Sequence, residues 1–283
     1  MSEKINKTKS VKLYYRTDNP AAEKWEKKIK KWLKVRHPEI KTVDNNPQVV
    51  IALGGDGTIL EAAKKCVPSK ALLVGLNLGQ AGFLASARNP KDFLNALDKI
   101  FKGDYTISER MMLEVEVVRK NKTVFKSAAL NEVLAINPLG MVEIDVFISD
   151  YHLQKIQGTG VLVSTPTGST AFNLSAHGPV MMPDTKGMIV TELFDHNIPA
   201  PSMILNGNNK VILKISNFRK KNLLSIAKSG RTADTLLSVD GEAIFPLAAE
   251  DNIKIKQSQH IARFCELEKN YFLKSFKEKF DFK

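Results

Sequence analysis

The sequence VVIALGGDGT at residues 49–58 joins an uninterrupted apolar run to a loop that is mostly glycine. A continuous apolar run of this length is typical of a strand that is buried on both faces of a parallel sheet. Apolar residues then recur at helical spacing from Ile59 to Val67, and Pro68 ends the pattern. The stretch therefore predicts a strand, a loop and a helix, with the loop at the carboxyl end of the strand, where α/β sheets bind ligands.

The same alternation of strand and helix fills the first hundred residues. Strands are predicted at residues 11–15 and 72–76, and helices are predicted to begin at Pro20 and Pro90. After Tyr105 the pattern changes to many short apolar or alternating runs, which indicate an antiparallel β-rich region. Among the strands predicted there are those at residues 223–227, 252–257 and 261–267. The predicted fold class is thus α/β plus all-β.

The chain is long enough for two domains. We predict a doubly wound α/β domain at residues 1–106 and a β-sandwich-like domain at residues 107–267. The tail from Lys269 mixes aromatic residues with lysines and predicts a C-terminal helix. We expect this helix, at about residues 268–283, to return to the N-terminal domain.

The charge is strongly basic, with 42 Lys+Arg against 30 Asp+Glu, a net +12. Such a balance suggests a polyanionic partner, whether nucleic acid, nucleotide phosphates or a membrane face. Residues 1–36 hold twelve basic and four acidic side chains, which is a net +8 of the total. These lysines fall on the polar face of a predicted amphipathic helix, and no aromatic–basic RNA signature accompanies them. We therefore predict no nucleic-acid partner.

The cysteines and histidines argue against two further classes of protein, disulfide-stabilised scaffolds and transition-metal proteins. Cys66 and Cys265 show no CxxC spacing, and the five histidines form no HxxxH pair. A disulfide scaffold and a transition-metal site built from protein ligands alone are thus not expected. The long uncharged stretch at residues 156–183 is rich in Gly, Ser, Thr, Asn and Pro, which is unlike a membrane helix. We expect a cytoplasmic protein with no membrane partner.

The GGDGT loop at residues 54–58 has the composition of a phosphate site. Glycine lets backbone amides approach phosphates closely, and a helix N-terminus adds favourable partial charge. The Asp56 carboxylate would repel phosphate unless it takes a proton from a nucleophile or holds Mg²⁺. The loop is neither a Walker A loop nor a GxGxxG fingerprint. A simple tight turn is the alternative, which the flanking strand and helix make weaker.

Three further features have both a functional and a structural interpretation. The hydroxyl-rich run at residues 158–175 suits contacts to ribose, phosphate or base edges, or else an irregular β connection. The pair Asn131-Glu132 could bind ribose hydroxyls and a base edge, although a surface pair is commoner. His196 could contact phosphate or be structural.

Taken in order, the motifs resemble those of the NAD kinase family. They lie at residues 54–58, 77–84, 109–113, 131–132, 164–172, 195–196 and 240–242. The nine-residue block STPTGSTAF at 164–172 is the most specific of them, because lipid kinases and phosphofructokinases share GGDGT. In the lipid kinases an Asn-Glu pair follows GGDGT almost at once, whereas here 73 positions separate Thr58 from Asn131.

The resemblance implies phosphorylation of the adenosine ribose 2′-hydroxyl of NAD by ATP or polyphosphate, with Mg²⁺ as the divalent metal and homodimers or homotetramers as the assembly. Asp56 would be the general base and could also meet the Mg²⁺ that the phosphates hold. The site would lie between the two domains. Donor phosphates would be held by Gly54, Gly55, Gly57 and Thr58. NAD would be bound by Asp56, Gly57, Phe83, Asn131, Glu132, Gln157, Thr159, Thr167, Thr170, Ala171, Phe172, Ser175, His196 and Glu242.

Four motifs depart from the family pattern, three at a single residue and one at a dipeptide. Thr159 stands where the family usually has an acid that meets the nicotinamide end, and Phe172 replaces a tyrosine. Glu61 replaces a basic residue, and Pro201-Ser202 replaces Arg-Pro. A nucleotide-binding regulator without turnover is therefore one alternative function, and a lipid-kinase-like GGDGT enzyme is another.

Overall fold

The structure is a computed structural model that describes residues 8–79, 82–197, 200–219, 224–226 and 231–281. It divides into two compact units, which we describe separately. The α/β unit comprises Met1–Arg110 and His260–Lys283, and the β unit comprises Met111–Gln259. No helix within the described ranges is long and apolar enough to cross a bilayer.

The described ranges contain the following elements. The helices are α1 (Pro20–Arg36), α2 (Asp56–Cys66), α3 (Phe93–Phe101), α4 (Phe172–Ser175) and α5 (Tyr271–Phe280). The strands are β1 (Ser10–Tyr15), β2 (Lys41–Thr42), β3 (Val49–Gly54), β4 (Leu72–Asn77), β5 (Thr106–Arg119), β6 (Lys122–Ala129), β7 (Glu132–Ile136), β8 (Val142–Ile148), β9 (Tyr151–Gly158), β10 (Gly160–Ser164), β11 (Gly187–Leu193), β12 (Met203–Asn206), β13 (Val211–Phe218), β14 (Leu224–Ile226), β15 (Arg231–Ala233), β16 (Leu236–Val239), β17 (Ala243–Pro246) and β18 (Asn252–Glu266).

The α/β unit is built on a parallel sheet in the order β2-β1-β3-β4, to which the second half of β18 adds in parallel. Register pairs Val11 with Val49 and Val49 with Leu72. Every residue of β3 and β4 is buried, as expected of strands covered on both faces. The strands and helices predicted for this half are thus confirmed, and so is the α/β class.

The helices of this unit begin where their sequences offer a cap. The Asn19 side chain accepts a hydrogen bond from the backbone of Ala22, 3.2 Å away, and Pro20 occupies the first position of α1. The buried stripe of α1 includes Ala22, Ile29 and Leu33. Ala21, which the spacing placed on the apolar face, is exposed instead.

The β unit is a two-sheet structure, as predicted. One sheet has the order β18-β13-β8-β9 and the other the order β12-β11-β10-β7-β16-β17, with antiparallel pairing. Residues from both sheets share one hydrophobic core, for example Val146 and Leu213 from the first and Val133, Val163 and Leu237 from the second. Paired sheets over a common core define a sandwich.

Some strands of the β unit escaped the sequence analysis. β9 has only two aliphatic positions, Leu153 and Ile156, and is held by pairing with β8. The two strands predicted at 252–257 and 261–267 form one continuous strand, β18, because the polar residues 258–260 between them are also in strand conformation. Of the strand predicted at 223–227, the first and last residues lie outside the described part of the chain.

Candidate active site

The GGDGT loop turns β3 into α2. Gly54 ends the strand, and a Cβ there would lie 2.5 Å from Oγ1 of Thr58, so the buried Thr58 side chain requires glycine at that position. The Thr58 N–H donates to the Gly55 carbonyl at 3.0 Å. An added Cβ at Gly55 or Gly57 would meet nothing within 4 Å among the described residues. The loop thus packs at its ends and is open at Gly55 and Gly57.

Asp56 is the first residue of α2 and its carboxylate is satisfied on one side only. Oδ2 accepts a 2.8 Å hydrogen bond from the Phe83 N–H. Oδ1 is buried and has no hydrogen-bond partner within the described ranges. Burial raises the pKa of Asp56, while backbone hydrogen bonds from Phe83 and Leu84 and the charges of Lys279 and Arg88 oppose that rise. A buried oxygen without a partner suits a donor that arrives with a ligand.

The segment at 77–84 shapes the other wall of this carboxylate. The buried Asn77 accepts at Oδ1 a 2.7 Å bond from the Gly79 N–H, which forms a tight turn. A Cβ on Gly82 would lie 2.1 Å from Oδ1 of Asp56, so the backbone at Gly82 abuts the carboxylate. Gln80 and Ala81 of this motif lie outside the described residues.

The C-terminal helix α5 supports the same corner of the α/β unit. The Phe83 ring lies 5.6 Å from the Phe272 ring, and Nζ of Lys279 lies 4.8 Å above the Phe83 ring. Arg88 donates from Nε to the Tyr271 hydroxyl at 3.0 Å. The sequence analysis missed the roles of Arg88 and Lys279, because no motif marks them.

In the β unit, Asp240 fixes the backbone of the Asn131-Glu132 pair. Its Oδ1 accepts from the N–H groups of Asn131 at 2.8 Å and Glu132 at 3.0 Å, and its Oδ2 accepts from Leu130 at 2.9 Å. Asp240 lies in the motif at residues 240–242, but nothing in the sequence predicted this role. Asp240 and Gly241 both have left-handed φ values, 53° and 69°, in the turn between β16 and β17. The Asp-Gly dipeptide between two strand patterns was the available signal.

The STPTGSTAF block mainly contacts and supports the backbone around Asn131. Thr165 donates from Oγ1 to the Leu130 carbonyl at 2.5 Å. A Cβ at Gly168 would lie 2.2 Å from the Asn131 carbonyl oxygen. The buried Thr167 hydroxyl, in contrast, has no partner in the described part of the chain, although Thr170 donates to its carbonyl at 3.3 Å. Thr167 is thus the buried hydroxyl of this block that remains free for a ligand.

Four of the predicted NAD-binding residues line one cavity of about 640 Å³ in the β unit. They are Thr159, Phe172, Ser175 and His196. We call this space the β-unit cavity. Its wall also includes Glu192, Phe194 and Asp195. Sequence reasoning missed Glu192, whose position inside an apolar strand gave no motif.

The remaining predicted residues have simpler settings. Gln157 accepts at its carbonyl from the His196 N–H at 2.9 Å, which joins it to the edge of the β-unit cavity. Ala171 connects a 3₁₀ turn to α4. Glu242 is exposed beside the Asp240 turn. In the described ranges, no three His, Cys, Asp or Glu side chains converge as a metal site would require.

A glycine loop at the end of a buried parallel strand, leading into a helix N-terminus, places the chain among nucleotide-binding α/β proteins. Family comparison narrows this class. The ATP-NAD kinase N-terminal domain matches residues 1–105, and the ATP-NAD kinase C-terminal domain matches residues 130–267. The chain therefore belongs to the NAD kinase family, as its motifs predicted.

Individual relatives agree. The NAD kinase of Natranaerobius thermophilus is 34% identical over 234 residues, covering 82% of this chain and 77% of that protein. The NAD kinase of Lachnospira eligens is 29% identical over 246 residues, covering 86% and 83%.

Solved structures share the fold. Yeast NADH kinase complexed with NADH superposes with a TM-score of 0.87 at 20% identity, covering 98% of this chain and 88% of that one. An NAD kinase from Archaeoglobus fulgidus in complex with ATP gives a TM-score of 0.73 at 22% identity, covering 97% and 100%.

Proposed function

We propose that this protein transfers the terminal phosphoryl group of ATP to the adenosine ribose 2′-hydroxyl of NAD, giving NADP and ADP. Membership of the NAD kinase family supports the reaction, and the ATP bound to the Archaeoglobus relative supports the donor. The observation that carries the mechanism is Oδ1 of Asp56, a buried carboxylate oxygen without a partner among the described residues.

Asp56 acts as the general base. The 2′-hydroxyl donates to Oδ1, the proton moves to that oxygen, and the hydroxyl oxygen attacks the terminal phosphorus as the bond to ADP breaks. Because Phe83 already holds Oδ2, the carboxylate is oriented before substrate arrives. Burial raises the pKa of Asp56, which increases its affinity for the proton.

The donor phosphates bind at the open part of the GGDGT loop. Gly55 and Gly57 have room above their α-carbons, and no side chain of the described residues caps the first turn of α2, whose helix N-terminus favours a bound anion. Polyphosphate presents the same phosphate chemistry, and its use as a donor stays a prediction.

The residues present fit Mg²⁺ held mainly by substrate phosphates. Mg²⁺ is usually held by one or two carboxylates together with phosphates and water. Since Oδ1 of Asp56 is the oxygen that faces the 2′-hydroxyl, phosphates and water would be the main ligands of the ion here. When bound, the ion would neutralise charge on the phosphates.

The acceptor is bound by residues of the β unit. Asn131 and Glu132 hold the adenosine, with Glu132 accepting from ribose hydroxyls, and their backbone is preset by Asp240. Thr167 and Thr170 contribute hydroxyls. The homo-oligomeric assembly and the cytoplasmic location stay predictions.

The test is direct detection of NADP after incubation of the purified protein with NAD, ATP and Mg²⁺. We expect Asp56→Asn to lower kcat by at least about a hundredfold while NAD still binds, because general bases contribute about 10²–10⁴ in rate. Asp104→Asn, at an exposed position of the same unit, is the matched control. Equal rates for Asp56→Asn and wild type would remove Asp56 from the chemistry. NAD binding without any product from wild type would favour the regulator instead.

A further inference from the structure

The β-unit cavity carries an uneven charge. Its wall includes two carboxylates, Glu192 and Asp195, and two histidines, His177 and His196. Among the described residues that line it there is no lysine or arginine. The described part of a chain with a net charge of +12 thus places no lysine or arginine in the wall of this cavity.

Glu192 has only neutral donors. Its Oε2 accepts from the Ala200 N–H at 3.3 Å, and its Oε1 accepts from the Gln154 side-chain amide. Burial and the nearby charge of Asp195 raise the pKa of Glu192. Asp195 is itself engaged with the Gln157 and Asn197 N–H groups, at 3.0 Å and 3.2 Å. A positive ligand group would therefore lower the electrostatic cost of this pair.

Two aromatic side chains of the same wall are exposed. Phe194 is 82% exposed, on a backbone with a φ of +52°, and Phe172 is 43% exposed. Exposed aromatic faces beside carboxylates are suited to a flat ring that carries positive charge, since stacking and cation–π attraction act together.

Glu192 on β11 also lies near Thr159, the residue between β9 and β10. The Thr159 N–H donates to the Leu193 carbonyl at 2.8 Å, and β10 pairs with β11 so that Val161 lies opposite Glu192. A carboxylate on β11 therefore serves the same cavity as the threonine that follows β9.

We propose that Glu192 is a specificity-determining residue that recognises the positively charged pyridinium ring of NAD⁺ and disfavours the neutral dihydropyridine of NADH. This inference rests on the proposed function, which supplies a dinucleotide as the acceptor. Of the two bases of that dinucleotide, only an oxidised nicotinamide is a cation at neutral pH. The charge and aromatic lining of the β-unit cavity fit that ring and favour the oxidised cofactor.

The experiment measures the Kd of NAD⁺ and of NADH by titration calorimetry at pH 8. Glu192→Gln removes the charge and keeps the size. We expect it to weaken NAD⁺ binding roughly tenfold and to change NADH binding less than twofold. The preference for NAD⁺ over NADH, measured as the ratio of their kcat/KM values, should fall in parallel with the ratio of their affinities.

Two further variants separate charge from structure. Thr159→Asp in the Glu192→Gln background returns a carboxylate to the cavity and should restore most of the preference for NAD⁺. The matched control is Glu116→Gln, which removes the β5 partner of an ion pair with Lys126 on β6. It should leave both affinities unchanged.

Equal changes for NAD⁺ and NADH in Glu192→Gln, or no change for either, would overturn the role of Glu192. If wild type binds both dinucleotides but forms no product, the kinase proposal fails, while the ratio of affinities still decides the role of Glu192. If wild type binds neither dinucleotide, both proposals are overturned.

Discussion

The backbone N–H of Phe83 donates a 2.8 Å hydrogen bond to Oδ2 of Asp56 and leaves the second carboxylate oxygen buried without a partner in the described part of the chain. This hydrogen bond orients the carboxylate that we propose as the general base. Burial raises the pKa of Asp56, and the hydrogen bond opposes the rise. The fold therefore distinguishes Oδ1, the oxygen that we propose accepts the proton, from Oδ2 before any ligand binds.

The charge of Lys279 should set the acidic limb of the pH profile. A general base works only when ionised, and Lys279 lowers the pKa of Asp56. Lys279→Met should therefore raise that pKa and move the acidic limb of kcat/KM to higher pH. Lys277→Met, at an exposed position of the same helix, is the control and should leave the limb in place. A limb that moves to lower pH, or not at all, would contradict the assignment of the limb to Asp56.

The close approach of Gly82 to Asp56 makes Gly82 sensitive to a single methyl group. A Cβ there would lie 2.1 Å from Oδ1, so Gly82→Ala should displace the carboxylate and lower kcat by about a hundredfold. Gly140→Ala is the comparison, because its added Cβ would lie 3.4 Å from Nδ2 of Asn137, which is an ordinary van der Waals contact. Thermal unfolding of both variants separates a local effect from loss of the fold. A Gly82→Ala enzyme with full activity would show that the carboxylate can move freely.

Asp240 should act on NAD affinity without touching NAD. It accepts three backbone N–H groups from Leu130, Asn131 and Glu132. Asp240→Asn replaces one acceptor oxygen with a donor, which should cost about 1–3 kcal/mol in unfolding free energy and raise the KM for NAD. Urea titration and initial rates measure the two effects. Asp184→Asn, at an exposed position, should change neither. An unchanged KM in Asp240→Asn would mean that the Asn131-Glu132 backbone holds its position unaided.

The α/β unit could be predicted from sequence because its signals are local. Val49–Gly54 is a buried apolar strand, and Asn19 and Pro20 announce α1. The weaker strands of the β unit could not be predicted in this way. β9 is stabilised by its pairing with β8, which is a property of register and not of its own composition.

The residues of the candidate site also differ in whether the sequence could predict them. The motifs identified Asp56 and the Asn131-Glu132 pair, since their residue types indicate the chemistry. The residues that position them, Gly82 and Asp240, became visible only when segments distant in sequence met. Glu192 shows this most clearly, because a lone glutamate in an apolar strand gives no sign that it lines a cavity.

An ion pair with one fully buried partner should contribute to the stability of the β unit. Arg119 donates from Nε and from its second terminal nitrogen to the two Asp251 oxygens, both at 2.7 Å, and Asp251 is fully buried. Asp251 also accepts from the Ala248 N–H at 2.8 Å. Asp251→Asn should lower the unfolding free energy by about 1–3 kcal/mol, because a buried acceptor of charged and backbone donors is replaced by an amide, while the half-exposed guanidinium stays partly solvated. Urea unfolding measures this, and Glu23→Gln at the exposed Lys27 pair should give no measurable change. Equal midpoints for Asp251→Asn and wild type would rule out such a contribution.

The two cysteines should be inert in the folded protein. Burial raises the pKa of Cys66 to about 12, and it also raises the pKa of Cys265. Since the thiolate is the reactive form, neither side chain should be alkylated by iodoacetamide at pH 8 during an hour in which a free cysteine peptide reacts completely. In urea both should be modified, and intact mass spectrometry counts the added groups. Labelling of either cysteine in the native protein, at a rate that does not follow global unfolding, would show that its helix or strand opens locally.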